Sequence, residues 1–110
     1  MELAFETVAL RRVCESGAEA RKCYPEGAVE ELQARLADIR AATSASDLVA
    51  GRPSLDGRPP GRIRFSLDGG LELVCVGNHP RPALTKDGLV DFDRMRRVRV
   101  VTITQERQNG

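Results

Sequence analysis

Hydrophobic and polar residues alternate along residues 61–77, and a glycine turn interrupts the alternation once. Ile63, Phe65 and Leu67 stand at every second position, with arginine or serine between them. After residues 68–70, which read Asp-Gly-Gly, leucine and cysteine again occupy every second position. A period of two on both sides of a glycine turn predicts a β-hairpin with one buried face.

The register of this hairpin follows if both apolar runs face the same side. Leu67 must then pair with Leu71, which leaves a three-residue loop that places glycine in the left-handed region. The other face, which we call the outer face, then carries the polar side chains of both strands. In the hairpin these are Arg62, Arg64, Ser66 and Glu72.

Helical periodicity predicts two helices between an N-terminal strand and the hairpin. Alternation along residues 2–6 predicts the strand, and Thr7 is placed to cap a helix that begins at Val8. Gly17 weakens or breaks that helix, and Pro25 suits the first turn of the second one. The second helix carries an apolar stripe that we interpret as core rather than as a partner groove. The stripe consists of Val29, Leu32, Leu36 and Ile39.

Two loop-like stretches rich in proline and glycine, residues 43–61 and 78–92, flank the hairpin. Leu48 and Leu55 are expected to anchor the first of them to the core. Residues 96–104 are β-rich, and their apolar positions change parity, which indicates either a bulge or a strand buried on both faces.

These elements predict one α+β domain that spans all 110 residues. An N-terminal strand and two helices are expected to pack on one face of a mostly antiparallel sheet of about four strands. The predicted core lies between the helices and the inner face of the hairpin, so the outer face is free to carry function.

Basic and acidic residues are unevenly distributed between the two halves of the chain. The net charge is +1, but residues 1–50 hold six basic and nine acidic residues, whereas residues 51–110 hold eleven and seven. Ten of those eleven bases are arginine, whose planar fork matches phosphate. The second half of the chain therefore suits nucleic acid or an acidic partner, and the alternative is a solvated basic face.

Other chemistry is poorly represented. His79 is the single histidine, and three cysteines without paired spacing favour neither a disulfide framework nor a zinc site. Cys14 and Cys75 are expected in the core, and Tyr24 at a helix entry. We therefore expect no metal, no cofactor and a reducing, cytoplasmic location. No apolar run approaches the roughly 20 residues of a membrane span, and the N-terminus does not read as a signal peptide.

Arginine on the predicted sheet is the feature that remains for function. Several guanidinium groups on one face would bind phosphates and stabilise a negatively charged transition state. Aromatic residues do not alternate with them, so recognition by base stacking is not expected. The candidates are Arg58, Arg62, Arg64, Arg99 and Arg107.

Four segments, in their order and spacing, resemble the HigB-like plasmid-maintenance killer toxins of the RelE/ParE superfamily. They read MELAFET…LRRVCE, AVEELQARLADIRAATSASDLVAG, LDGRPPG…FSLDGGLELVC and GLVDFDRMRRVRVVTI. The resemblance implies a small cytoplasmic bacterial toxin with two helices against an antiparallel sheet. In this superfamily the RelE and HigB branches cleave messenger RNA on the ribosome without metal, and the ParE branch poisons DNA gyrase. The implied partner is an antitoxin, typically a helix-turn-helix DNA-binding protein.

The resemblance assigns roles residue by residue, with departures from the family pattern. Arg99 matches a family arginine, whereas the basic residue of the LDGRPPG segment is displaced to Arg58. Glu72 stands where the family has arginine, and Glu106 and Arg107 stand where it has tyrosine and histidine. The implied catalytic residues are Glu106, Arg107 and Arg64, with Glu72 as the second candidate base. The implied RNA- and phosphate-binding residues are Arg58, Arg62, Arg64 and Arg99.

Three functional hypotheses follow. The first is the toxin of a type II toxin–antitoxin system that cleaves messenger RNA on the ribosome and inhibits translation. The alternative is a toxin fold without nuclease activity that binds an antitoxin or a gyrase-type target. A stand-alone RNA-binding module is the third, which the missing aromatics disfavour. For Arg64 and Glu72 the alternative to a site is a diagonal cross-strand salt bridge.

Overall fold

The computed structural model describes residues 1–105, in which helices and strands form an α+β fold. The helices are α1 (Val8–Glu15), α2 (Gly17–Cys23) and α3 (Glu26–Ala41). The strands are β1 (Glu2–Phe5), β2 (Ser54–Asp56), β3 (Arg62–Leu67), β4 (Leu71–Gly77) and β5 (Arg97–Gln105). The predicted class is confirmed, but two helices and about four strands were expected.

The extra helix arises because the helical conformation is interrupted at Ser16. Thr7 caps α1 as predicted, since its Oγ1 accepts a hydrogen bond from the Leu10 N–H at 3.0 Å. Ser16 then adopts an extended backbone with φ −126° and ψ 114°, and its Oγ accepts from the Glu19 N–H at 3.3 Å. Gly17 therefore begins α2, where we had expected it only to weaken or break a single helix.

The five strands form one mixed sheet in the order β1-β5-β4-β3-β2. β1 runs parallel to β5, and the other three pairings are antiparallel. β2 was missed because it has three residues and lies in a stretch punctuated by proline and glycine, which reads as a loop. Parallel pairing carries β1 to one edge of the sheet, beside the basic strand β5.

The hairpin register predicted from the alternation is confirmed. Leu67 pairs with Leu71, and the loop between them places Gly69 and Gly70 at φ +78° and +74°, the left-handed region that glycine adopts without a steric cost. On β5 the register shifts opposite the Val74–Cys75 step, so the parity change in that strand marks a bulge.

The core lies between α3 and the inner face of the sheet. The apolar stripe of α3 is buried, as predicted. Its members Leu32, Leu36 and Ile39 belong to the cluster that also contains Ile63, Phe65 and Leu73. Leu48 is buried as expected, but Leu55 is 45% exposed because β2 is an edge strand. No helix within residues 1–105 has the length and apolar character that a membrane crossing requires.

Two thiols are part of this core. Cys14 and Cys75 are buried and Cys23 is exposed. Burial raises the pKa of Cys14 to about 11 and that of Cys75 to about 12, from an ordinary value of 9.0. As pH rises, the unfolded chain therefore loses its thiol protons before the folded chain does.

Alkaline pH is accordingly expected to destabilise the fold through these thiols. Below about pH 8 both states are protonated, and the free energy of unfolding should fall as pH rises from about 9 to about 12. Urea unfolding across this range should show a smaller alkaline loss for Cys75→Ala than for the unsubstituted chain. Equal losses would contradict a buried, protonated Cys75.

Candidate functional site

The outer face carries arginines on two strands that flank β4. Arg62 and Arg64 of β3 are exposed, while the residues between them are buried. Arg99 of β5 is partly exposed. Between these strands, Val74 and Val76 occupy the outer face of β4. The alternation predicted from sequence therefore places basic residues on either side of an apolar strip.

One row across the sheet brings Arg62 and Arg99 to the same level. Arg62 lies opposite Val76 on one side, and Arg99 lies opposite Val76 on the other. Because neighbouring strands are about 4.8 Å apart, the two arginine Cα atoms are roughly 10 Å apart. Both guanidinium groups are thus within side-chain reach of the phosphates of a strand laid over Val76.

The two valines are buried although they face away from the helices. Val74 and Val76 are only 6% and 5% exposed. Their ladder partners on this face are polar residues, chiefly arginine, whose aliphatic stems cover apolar surface while the charged heads stay in water. These partners are Arg62, Arg64, Arg99 and Thr102.

Carboxylates accompany most of these arginines. Five arginines lie on or beside this face: Arg58, Arg62, Arg64, Arg97 and Arg99. Within residues 1–105, Arg62 alone among them has no carboxylate within 4.0 Å. The other four each form an ion pair, and the pairs are largely solvent-exposed, so each contributes little to stability. The pairs are Arg58–Asp56 at 3.2 Å, Arg64–Glu72 at 3.9 Å, Arg97–Glu2 at 3.0 Å and Arg99–Glu6 at 2.8 Å.

Arg58 lies in the turn after β2 and hydrogen-bonds to the carboxylate of Asp56. Its backbone N–H donates to Asp56 Oδ1 at 3.0 Å, and its guanidinium Nη2 donates to Oδ2 at 3.2 Å. These hydrogen bonds, that from the backbone N–H first, lower the pKa of Asp56, and the charge of Arg62 lowers it further. Asp56 lies opposite Arg62 in the ladder, so Arg58 borders the outer face.

Four of the predicted site residues lie around one face. Arg58, Arg62, Arg64 and Arg99 lie on or beside the outer face. The predicted catalytic residues Glu106 and Arg107 lie outside the described residues, which end with β5.

The salt bridge considered for Arg64 and Glu72 is present, with Arg64 Nε 3.9 Å from a carboxylate oxygen. It is diagonal, because Arg64 lies opposite Val74 and Glu72 lies opposite Ser66. The side chain of Glu72 is 21% exposed, so this carboxylate reaches the surface of the outer face.

Two acidic residues beside the outer face, Glu2 and Glu6, were not predicted from the sequence to belong to the site. Glu2 is the first residue of β1 and Glu6 directly follows the strand, and both pair with arginines of β5. Arg97, the partner of Glu2, was also left out of the predicted site. The complementary charges of the first and last strands could have signalled these pairs, but only if parallel pairing of those strands had been expected.

His79 holds the start of β5 in place. Its Nε2 accepts hydrogen bonds from the backbone N–H groups of Arg96 at 2.9 Å and Arg97 at 3.2 Å. That nitrogen is therefore engaged by the backbone. Within residues 1–105, no group of three or more His, Cys, Asp or Glu side chains is arranged to hold a metal ion.

Comparisons with known proteins assign no family to this geometry. No protein-family model, curated protein or solved structure matches the chain. What bears on function is therefore the outer face itself, together with the segments of sequence described above.

Proposed function

We propose that the chain is the toxin of a type II toxin–antitoxin system and cleaves messenger RNA on the ribosome. The observation that supports this best is the row in which Arg62 and Arg99 flank Val76 on the outer face. Two guanidinium groups at this spacing match the phosphodiester backbone of a single strand. The HigB-like segments of the sequence supply the reaction class.

Cleavage of RNA without metal has three chemical requirements. The 2′-hydroxyl must lose a proton, the leaving oxygen must gain one, and the charge at phosphorus must be stabilised. Arg62, Arg64 and Arg99 serve the third requirement, because their charge is permanent and their N–H groups are directed donors.

Proton transfer needs a group other than arginine, which does not lose its proton in proteins. In this proposal Glu106 assists proton transfer, and Arg107 joins the other arginines in binding phosphate. Glu72 is the second candidate, since its carboxylate lies 3.9 Å from Arg64 Nε and would lie beside a phosphate held by Arg64.

The proposal includes partners and a location. The toxin acts in the cytoplasm on ribosome-bound messenger RNA. A cognate antitoxin, a helix-turn-helix DNA-binding protein, neutralises it.

A second candidate function is binding without cleavage. It is favoured by the four carboxylates that already neutralise Arg58, Arg64, Arg97 and Arg99. A face in which most cations are paired holds nucleic acid weakly, because each phosphate must replace a carboxylate. In this case the fold acts by contact with an antitoxin or a gyrase-type target.

Induced expression in a bacterial host tests the first proposal against the second. Growth arrest with new 5′ ends inside coding sequences supports cleavage, and arrest without new ends supports binding alone. Normal growth with folded protein present contradicts both. Arg62→Ala with Arg64→Ala should relieve the arrest, whereas Arg12→Ala with Arg40→Ala, which removes two exposed arginines from α1 and α3, should not.

A further inference from the structure

Glu6 forms an ion pair with the guanidinium of Arg99. It approaches from the β1 side of β5, opposite to β4. Its Oε2 is 2.8 Å from Arg99 Nε. We propose that Glu6 is a resident competitor for phosphate: it holds Arg99 in the free protein, and an RNA phosphate must displace it. This inference rests on the RNA-binding face of the proposed function and adds the residue that regulates it.

The parallel pairing of β1 with β5 creates this contact. Ala4 lies opposite Arg99, and Glu6 has the same parity, so both belong to the outer face. The Glu6 N–H donates to the carbonyl of Val100 at 2.9 Å, which fixes the backbone of Glu6 beside β5. Because Ala4 has a small side chain, the Arg99 guanidinium has room to lie towards β1 and thus away from Arg62.

The pair is close but poorly directed. Arg99 Nε is buried and makes no hydrogen bond of acceptable geometry, although the carboxylate oxygen is 2.8 Å away. A buried donor left unsatisfied costs free energy. A phosphate oxygen placed above Val76 offers the Arg99 guanidinium an alternative acceptor to Glu6.

This arrangement selects the class of ligand. Exchange of one carboxylate for one phosphate leaves the number of ion pairs unchanged and gains little affinity. A strand with one phosphate per nucleotide contacts Arg62 and the released Arg99 together, so the second contact forms at a high effective concentration. The ligand is therefore an extended phosphodiester strand and not a mononucleotide.

Fluorescence anisotropy with a labelled single-stranded RNA of about 20 nucleotides tests the inference. Glu6→Gln should bind about three- to tenfold more tightly than the unsubstituted chain, because no carboxylate then has to be displaced from Arg99. Glu19→Gln is the matched control. It removes the same charge, from a carboxylate 3.1 Å from Lys22 on α2, in the helical layer, and should leave affinity unchanged.

The possible outcomes separate this inference from the proposed function. Equal tightening by Glu6→Gln and Glu19→Gln would overturn it, because net charge alone would explain both. RNA binding that depends on Arg62 but not on Glu6 would overturn it and leave the proposed function intact. Absence of RNA binding in every variant would overturn this inference, whereas the proposed function is overturned by intact messenger RNA on ribosomes. Competition by adenosine monophosphate as effective, per phosphate, as that by unlabelled RNA would overturn the assigned ligand class.

Folding of the variants is checked by thermal unfolding. Should Glu6→Gln fail to fold, Glu6→Asp carries the same test, because the shorter side chain withdraws the carboxylate from Arg99 while the charge is kept. Tighter RNA binding by Glu6→Asp supports the displacement, and unchanged binding overturns it.

Discussion

Replacing both Arg62 and Arg99 by glutamine is expected to lower the affinity of the chain for single-stranded RNA about a hundredfold. The two residues flank Val76 in one row of the outer face. Arg62, which no carboxylate pairs within residues 1–105, loses a charge-assisted hydrogen bond to phosphate that contributes about 1.5–3 kcal/mol, and the loss of Arg99 adds a smaller effect because Glu6 competes for that guanidinium. Anisotropy titrations measure the effect, and the slope of log affinity against log salt should become shallower by about 1.4, or about 0.7 for each lost phosphate contact.

The control for this experiment removes two arginines elsewhere. Arg12→Gln with Arg40→Gln changes the net charge equally, and both residues are exposed on helices of the opposite layer. That variant should bind RNA within about twofold of the unsubstituted chain, since surface charges beyond the Debye length of about 8 Å are screened at physiological salt. An equal loss in both double variants would show that RNA is attracted by net charge and not held by the outer face.

Leu73→Ala is expected to destabilise the fold by about 2–5 kcal/mol. Leu73 is fully buried on the inner face of β4, between Phe65 and Ile103. Its truncation removes apolar contacts and leaves a cavity that the surrounding strands do not fill. Urea unfolding followed by circular dichroism gives the free energy of unfolding of each variant.

Leu55→Ala is the matched comparison for Leu73→Ala. It makes the same chemical change on the same sheet, but Leu55 lies on the edge strand β2 and is 45% exposed. Its cost should therefore stay below about 1 kcal/mol, since nearly half of its surface remains in water after folding. Equal costs at the two positions would contradict the order of the strands.

The hairpin and the core were predictable because they depend on local patterns. Alternation around Gly69 and Gly70 fixes both the register and the side of the sheet that each residue faces. The stripe on α3 fixes the helical face that packs against it. Arg62 and Arg64 could therefore be assigned to the outer face before any coordinates were known.

The missed features depend on contacts between distant parts of the chain. Nothing local to Glu6 indicates that β1 lies parallel to β5, so its pairing with Arg99 was not foreseen. The three residues of β2 acquire strand geometry only by pairing with β3. The break at Ser16 follows from one extended residue with a capping hydroxyl. It lies beside Gly17, the residue that was expected to weaken or break the helix.

The most direct test of the central claim is cleavage in a purified translation system. Ribosomes loaded with a defined messenger RNA would be incubated with the chain, and primer extension would map the 5′ ends. We expect cuts in ribosome-bound messenger RNA, none in the same RNA without ribosomes, and none with the Arg62→Gln, Arg99→Gln variant. Intact messenger RNA on ribosomes incubated with the folded, unsubstituted chain would contradict the proposed nuclease.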